Sequence, residues 1–139
     1  MENITENKEV NQWCFACGSD NPIGLKLKFR EENDTYITNF TAGLEHQGYD
    51  GIVHGGIIST LLDEITARYI YSKGYNAVTA RLEVRYRQPT PIGVELTVTG
   101  RITNQRGKLY ELAGSIKLPD GTLTAEAKTT VAIIDEVTK

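Results

Sequence analysis

Residues 54–65 read His54-Gly55-Gly56-Ile57-Ile58-Ser59-Thr60-Leu61-Leu62-Asp63-Glu64-Ile65. The apolar residues that follow the two glycines recur at helical intervals, as they do on the buried face of an α-helix. This apolar stripe comprises Ile57, Ile58, Leu61, Leu62, Ile65 and Tyr69. Gly74 follows the stripe and is a typical residue for a helix end. The pattern predicts one long helix that begins at the glycines.

The start of this helix is suited to polarising a carbonyl group. The first backbone amides of a helix lack internal partners and carry the positive end of the helix dipole. Gly55 and Gly56 let a ligand approach two such bare amides closely, which makes the helix start a candidate oxyanion site. Asp63 follows in the same helix, roughly 12 Å beyond Gly55. If both groups act on one bond, Gly55 of one chain must face Asp63 of another. The alternative is a glycine-rich helix start with a solvated acid.

Segments with strand-like alternation lie on both sides of the helix. Alternation at 24–29 and 36–40, with a polar break between them at 31–34, predicts a hairpin of two strands. Four further strands are predicted at 79–87, 94–98, 109–118 and 122–134. Pro89 and Pro91 end the strand at 79–87, and turns are predicted at 104–107 and 119–121. This order predicts an α+β fold in which a curved antiparallel sheet of five to six strands wraps a long central helix. Extension of the sheet by a second subunit would cover an exposed edge.

Composition limits the class of protein. The chain has 139 residues, 40% of them hydrophobic and 24% charged, with a net charge of -3, which fits one soluble domain and disfavours a nucleic-acid binder. Residues 1–9 are polar and lack the apolar core of a signal peptide, and no run is long enough to span a bilayer. We therefore expect a cytoplasmic protein with no membrane partner. An amino-terminal segment, 1–23, is expected to precede a single domain, 24–139.

Both cysteines lie in the amino-terminal segment, within Cys14-Phe15-Ala16-Cys17. In a reducing compartment such a pair favours a metal or thiol role over a structural disulfide. Two cysteines are half of a zinc site, and His46 and His54 complete a set of four only on paper, because their spacing matches no finger pattern. A thioredoxin-like role would require a βαβ pattern, which is absent after the motif. The preferred interpretation is a pair that packs the amino-terminal loop beside Trp13 and Phe15.

The order of elements and several motifs together resemble the hotdog-fold acyl-CoA thioesterases, in particular their PaaI-like branch. The resemblance covers nearly the whole chain. The motifs that carry it are His54-Gly55-Gly56 with Asp63, His46-Gln47-Gly48-Tyr49-Asp50-Gly51-Ile52-Val53, Thr79-Ala80, Tyr86-Arg87-Gln88-Pro89, Cys14-Phe15-Ala16-Cys17-Gly18 and Asn21-Pro22-Ile23-Gly24-Leu25. The resemblance implies a hotdog fold and a homodimer joined edge to edge, usually paired again into a homotetramer. It also implies active sites between subunits that hydrolyse acyl-CoA to free acid and coenzyme A, without a metal or organic cofactor.

The resemblance also assigns roles to individual residues. The amide of Gly55 would hold the thioester carbonyl oxygen, with Gly56 beside it in the substrate site. Asp63 of the partner chain would act as general base or as nucleophile, and sequence does not choose between these routes. Thr79 matches a hydroxyl position that places the water or the acid, and Gln47 falls near an amide position beside the carbonyl. His54 either acts on the substrate or shapes the loop through backbone hydrogen bonds.

Three other functions remain open at this point. The same tunnel would suit a module that binds acyl-CoA or lipid without hydrolysis. Hydration or dehydration of an enoyl or hydroxyacyl thioester is disfavoured, because His54 has no second acid-base partner in the usual dehydratase arrangement. A zinc or redox role for Cys14 and Cys17 is the last alternative.

Overall fold

The computed structural model describes residues 12–136, and the polar stretch 1–9 lies outside them. Within these residues, one six-stranded antiparallel sheet packs against a single α-helix, with the strands in the order β1-β2-β4-β5-β6-β3. The elements are β1 (Arg30–Glu32), β2 (Thr35–Thr41), α1 (Gly55–Tyr71), β3 (Tyr75–Tyr86), β4 (Glu95–Arg106), β5 (Leu109–Lys117) and β6 (Leu123–Glu136), with a short 3-10 turn at Leu44–His46. The predicted α+β architecture is confirmed.

Helix α1 fills the concave side of the sheet and contacts five of its strands, β2 to β6. Its buried face includes most of the predicted stripe, namely Ile58, Leu61, Leu62, Ile65 and Tyr69, whereas Ile57 is only partly buried. The helix ends at Tyr71 with Ser72 as its cap, and Gly74 follows with φ of 101°. The predicted helix and its end are therefore confirmed.

Two glycines let the helix lie very close to the sheet. Gly100 of β4 and Gly114 of β5 face each other across the ladder, directly below α1. A Cβ atom at Gly100 would lie 2.8 Å from the backbone carbonyl oxygen of Ile65. A Cβ atom at Gly114 would meet only side chains, the nearest being Leu62 at 3.2 Å. The depth of the helix is thus set by backbone contact at Gly100.

The predicted first strand at 24–29 is wrong. Leu25 and Leu27 are buried as the alternation requires, but their amides donate to the carbonyl oxygens of Phe15 and Ala16, at 2.8 and 3.0 Å. Lys26, between them, has φ of 56°, which is incompatible with a regular strand. The alternation here reflects burial against the amino-terminal segment rather than sheet pairing, and β1 is confined to three residues.

Other strand boundaries also differ from the prediction. β3 begins four residues earlier than predicted, at Tyr75, while β4 runs on to Arg106 through most of the predicted turn at 104–107. The chain reverses at Gly107, whose φ of 60° places it in the left-handed region. β6 extends to Glu136. Long ladders between these strands override the local turn residues.

Three stacked aromatic rings lie between the sheet and the second half of α1. Tyr36 lies between Phe29 and Tyr69, with ring centroids 5.1 and 4.8 Å apart. The hydroxyl of Tyr69 donates to a carboxylate oxygen of Glu31 at 2.6 Å. Burial, followed by this hydrogen bond, raises the pKa of Tyr69 above its ordinary value.

Strand β3 forms one edge of the sheet. Within residues 12–136 it pairs only with β6, in eleven residue pairs, and the ladder skips one residue on each strand, Ala80 on β3 and Ile134 on β6. β3 is twelve residues long, whereas β1 at the opposite edge has three. A long open edge of this kind is the natural place for a second chain to extend the sheet. Across the described residues, no helix combines the length and apolarity needed to cross a membrane.

Candidate active site

The amide of Gly55 is exposed at the start of α1. His54 is the N-cap, and its Nδ1 accepts a hydrogen bond from the amide of Gly56 at 2.8 Å. The carbonyl oxygen of His54 accepts from the amides of Ile57 and Ile58. Among residues 12–136 nothing accepts from the amide of Gly55. The sequence predicted two bare amides, but the imidazole cap satisfies that of Gly56, so one remains.

The loop before the helix is held by its own hydrogen bonds. Oε1 of Gln47 accepts from the amide of Gly51 at 2.7 Å, and the carbonyl oxygen of His46 accepts from the amide of His54 at 2.8 Å. The amide of Val53 donates to the carbonyl oxygen of Thr90 at 2.8 Å, which ties the loop to the segment after β3. Gln47 and His54 therefore both shape the backbone that presents Gly55.

A cleft of about 910 Å³ opens at this end of the helix. Its walls are formed by Gln47, Gly48, Tyr49, Ile52, Val53, His54, Gly55, Ile58, Tyr86, Arg87, Gln88, Pro89 and Thr90. Three of the predicted site residues, Gln47, His54 and Gly55, thus share one cavity. Gly56, Asp63 and Thr79 do not line it.

Tyr86, the last residue of β3, joins the sheet edge to the helix start. Its hydroxyl donates to the carbonyl oxygen of Gly55 at 2.9 Å and lies 2.8 Å from Oγ of Ser59. The ring is 54% exposed and forms one wall of the cleft. Sequence reasoning placed Tyr86 in a motif but not among the site residues. An aromatic residue that ends an alternating strand just before prolines was the available signal.

Asp63 and Thr79 meet on the same side of the molecule, further along the helix. Oγ1 of Thr79 donates to Oδ1 of Asp63 at 2.6 Å, and both residues are partly buried. This bond supports the predicted link between the threonine hydroxyl and the acid. Because Asp63 lies about 12 Å from Gly55 along the helix, the two groups do not face one ligand within a single chain.

A second cluster brings together Cys14, Cys17 and Glu64, whose ligand atoms all lie within 4.8 Å of one another. Both cysteines are free thiols, and Cys17 is buried in the core. Burial is the main cause of a raised pKa at Cys17 and also at Glu64. The cysteine pair was expected to pack beside Trp13 and Phe15, but Trp13 is 61% exposed. Cys17 instead packs into the hydrophobic core.

Among the described residues His46 and His54 do not join the two cysteines, in agreement with their unsuitable spacing. Nδ1 of His46 accepts from the amide of Gly43 at 3.0 Å and its ring packs on Phe40, while His54 caps α1. Each imidazole is thus fixed in the loop before the helix, and the carboxylate of Glu64 is what accompanies the two thiols. Sequence spacing offered no signal for Glu64, which reaches the cysteines only through the fold.

Comparison with known proteins places this arrangement in a family. A family model described as the thioesterase superfamily matches residues 50–125, more than half of the chain. The chain belongs to the thioesterase superfamily. The match includes the exposed Gly55 amide, the pair formed by Asp63 and Thr79, and Tyr86.

Individual relatives support this membership. Acyl-coenzyme A thioesterase 13 of Mus musculus is 31% identical over 117 residues, which cover 81% of this chain and 83% of the relative. Acyl-coenzyme A thioesterase THEM4 of Mus musculus is 33% identical over 92 residues, or 66% of this chain. The chain spans only 40% of the length of that second relative.

The fold is shared with the PaaI protein of E. coli, from its phenylacetic acid degradation operon. The two superpose with a TM-score of 0.74 at 20% identity, covering 82% of this chain and 84% of PaaI. The predicted hotdog fold, one long helix wrapped by an antiparallel sheet, is therefore confirmed. The family match confirms the resemblance to the thioesterase superfamily.

Proposed function

We propose that this protein hydrolyses acyl-CoA thioesters to a free acid and coenzyme A, at sites shared between two copies of the chain. Membership of the thioesterase superfamily and the activity in the names of both mouse relatives support this reaction. The homodimer, its pairing into a homotetramer and the cytoplasmic location remain predictions from the sequence.

The observation that carries the proposal is the arrangement of two half-sites along β3. At one end of this open edge, Tyr86 holds the carbonyl group of Gly55, and towards the other end Thr79 holds Asp63. α1 therefore runs antiparallel to β3. If two copies of β3 pair antiparallel about a two-fold axis, the Thr79 end of one strand lies beside the Tyr86 end of its partner. Asp63 of one chain then approaches the Gly55 amide of the other.

The chemistry follows from these two groups. The Gly55 amide, at the positive end of the helix dipole, would donate to the thioester carbonyl oxygen and stabilise the negative charge that develops on it. Asp63, oriented by Thr79, would either take a proton from an attacking water or attack the carbonyl carbon itself. In the first route water adds to the carbonyl carbon as the bond from carbon to sulfur breaks. In the second route the acyl group passes from sulfur to the carboxylate of Asp63 as a mixed anhydride, which water then hydrolyses to the free acid. In both routes coenzyme A leaves as a thiolate and takes up a proton that the water releases.

The cleft residues would bind and orient the substrate. Ile52, Val53 and Ile58 supply an apolar surface that suits an acyl or pantetheine chain. Oε1 of Gln47 is held by Gly51, so its Nε2 keeps its hydrogens for the substrate carbonyl. His54 would act by presenting the Gly55 amide, since its Nδ1 is engaged by Gly56.

A complementation experiment tests both the reaction and the shared site. Thiol release is measured with short-chain, long-chain and aryl-CoA substrates for the wild type, for Asp63→Asn and for Gly55→Pro, which lacks the amide hydrogen. Each variant alone should be inactive or nearly so. After the two variants are unfolded and refolded together in equal amounts, half of the dimers are mixed, and each mixed dimer has one intact site. Activity should therefore return to about a quarter of the wild-type value.

Two results would contradict the proposal. No recovery in mixtures shown by mass to contain mixed dimers would mean that the two groups do not share a site. Saturable binding of acyl-CoA esters without thiol release by the wild type would favour the alternative, a non-hydrolytic acyl-CoA binding module of the same fold.

A further inference from the structure

We propose that Cys14, Cys17 and Glu64 form a zinc site that fastens the amino-terminal segment to α1. The two sulfur atoms and a carboxylate oxygen lie within 4.8 Å of one another, close enough for one ion to draw all three into its coordination shell. The site is separate from the cleft at Gly55, and the proposal does not depend on thioester hydrolysis.

The backbone after Cys14 turns back on itself and directs an amide at the sulfur of Cys14. The amide of Cys17 donates to Sγ of Cys14 at 3.5 Å, and the amide of Gly18 donates to the carbonyl oxygen of Cys14 at 2.9 Å. An amide that points at a sulfur stabilises its thiolate form, the form that binds metal. A Cβ atom at Gly18 would lie 2.2 Å from the carbonyl oxygen of Gln12, so the tight turn requires glycine.

The three ligand residues are held in place before any ion binds. The amides of Leu25 and Leu27 donate to Phe15 and Ala16, inside the cysteine motif, at 2.8 and 3.0 Å. Cys17 is 2% exposed, in the same core as the buried face of α1. Glu64 comes from α1 itself, so its position is fixed by the helix. Binding of an ion would therefore cost the chain little conformational entropy, because the ligand residues are already in place.

The ligand set selects zinc. Thiolates favour zinc over calcium and magnesium, which prefer oxygen ligands, and a carboxylate is an accepted third ligand for zinc. Two thiolates and one carboxylate would leave a net charge of about -1 around a divalent ion. The guanidinium group of Arg68 interacts electrostatically with Glu64 and partly offsets this charge. Water would take the fourth position, as it does in sites with three protein ligands.

The experiment measures metal on the purified full chain. Zinc content after dialysis is compared for the wild type, Cys17→Ser, Glu64→Gln and Glu95→Gln, the last being an exposed carboxylate on β4 that serves as the matched control. We expect about one zinc per chain in the wild type and in Glu95→Gln. Cys17→Ser should retain almost none, and Glu64→Gln should bind about tenfold more weakly or worse.

Cobalt substitution tests the site directly on the wild type. The wild type is stripped with a chelator under reducing conditions and titrated with Co²⁺. The proposal requires the intense near-ultraviolet band of thiolate-bound cobalt, saturating at one equivalent, and a rise in the melting temperature when zinc is added back. It is overturned if no thiolate band forms, if Glu64→Gln binds as tightly as the wild type, or if freshly purified protein carries a disulfide between Cys14 and Cys17 instead of metal. Because these readouts are metal content, absorption and melting temperature, they stand apart from any failure of the thioesterase proposal.

Discussion

Replacing Gly55 by proline deletes the amide hydrogen at the centre of the proposed mechanism while disturbing the fold very little. Gly55 is the first residue of α1, where proline is favoured because the amide has no helical partner. His54, before it, has φ of -59° and ψ of 138°, which is the conformation that a residue preceding proline prefers. A Cβ atom at Gly55 would lie 3.6 Å from the hydroxyl oxygen of Tyr86, an ordinary contact.

The expected loss is large and confined to the chemical step. Removal of one preorganised donor from an oxyanion site lowers kcat by about 10² to 10³, or roughly 2.7 to 4 kcal/mol. The free energy of unfolding should change by less than about 1 kcal/mol, because proline at this position keeps the helix start intact. Gly55→Ala is the matched control, since alanine adds the Cβ atom but keeps the amide hydrogen, and its kcat should stay close to the wild-type value.

The assay follows release of the coenzyme A thiol over a range of substrate concentrations, with circular dichroism and urea unfolding run in parallel. A folded Gly55→Pro variant with nearly wild-type kcat would refute the role of this amide. Equal losses in the alanine and proline variants would show that space beside Tyr86, rather than the hydrogen-bond donor, controls activity.

Three further predictions concern residues around the helix. Thr79→Val should lower kcat about tenfold because Asp63 loses the hydroxyl that orients it, and Thr79→Ser should restore most of the rate in the same thiol assay. Gly100→Ala should destabilise the protein by about 1 to 3 kcal/mol in urea unfolding, because its new methyl group would meet helix backbone, and Gly114→Ala should cost less because its methyl group meets movable side chains. The folded protein keeps the proton of Tyr69 at a pH where the unfolded chain releases it, so stability should decline as pH rises above about 10. Tyr69→Phe should decline less steeply when thermal unfolding is followed across that range.

The sequence predicts the main elements of the fold because its periodicities are strong. The helical stripe of residues 57–69 and the prolines after β3 report directly on burial and on strand termination. Alternation at 24–29 misleads, because it records which side chains are buried and not which backbone groups pair. The backbone groups that bond to this segment lie in the cysteine motif, and hydrophobic periodicity does not predict that pairing.

The candidate site is predictable to the same limited extent. The glycine-rich helix start and the acid on the helix are local features, and the sequence locates both. That the imidazole of His54 satisfies the Gly56 amide is a matter of rotamer and loop geometry. Glu64 joins Cys14 and Cys17 only through folding, and no spacing rule connects residues so far apart in sequence.

The close contact between Gly100 and the carbonyl oxygen of Ile65 fixes the middle of the helix against the sheet. Gly55 lies ten residues before Ile65, so it is about 15 Å from the fixed point along the helix axis. A tilt of only about 4° would swing the amide by roughly 1 Å, a displacement that commonly costs an enzyme about a hundredfold in rate. If the Gly55 amide binds the thioester carbonyl as proposed, a small packing change at Gly100 would lower the rate of hydrolysis before it lowered the stability of the fold.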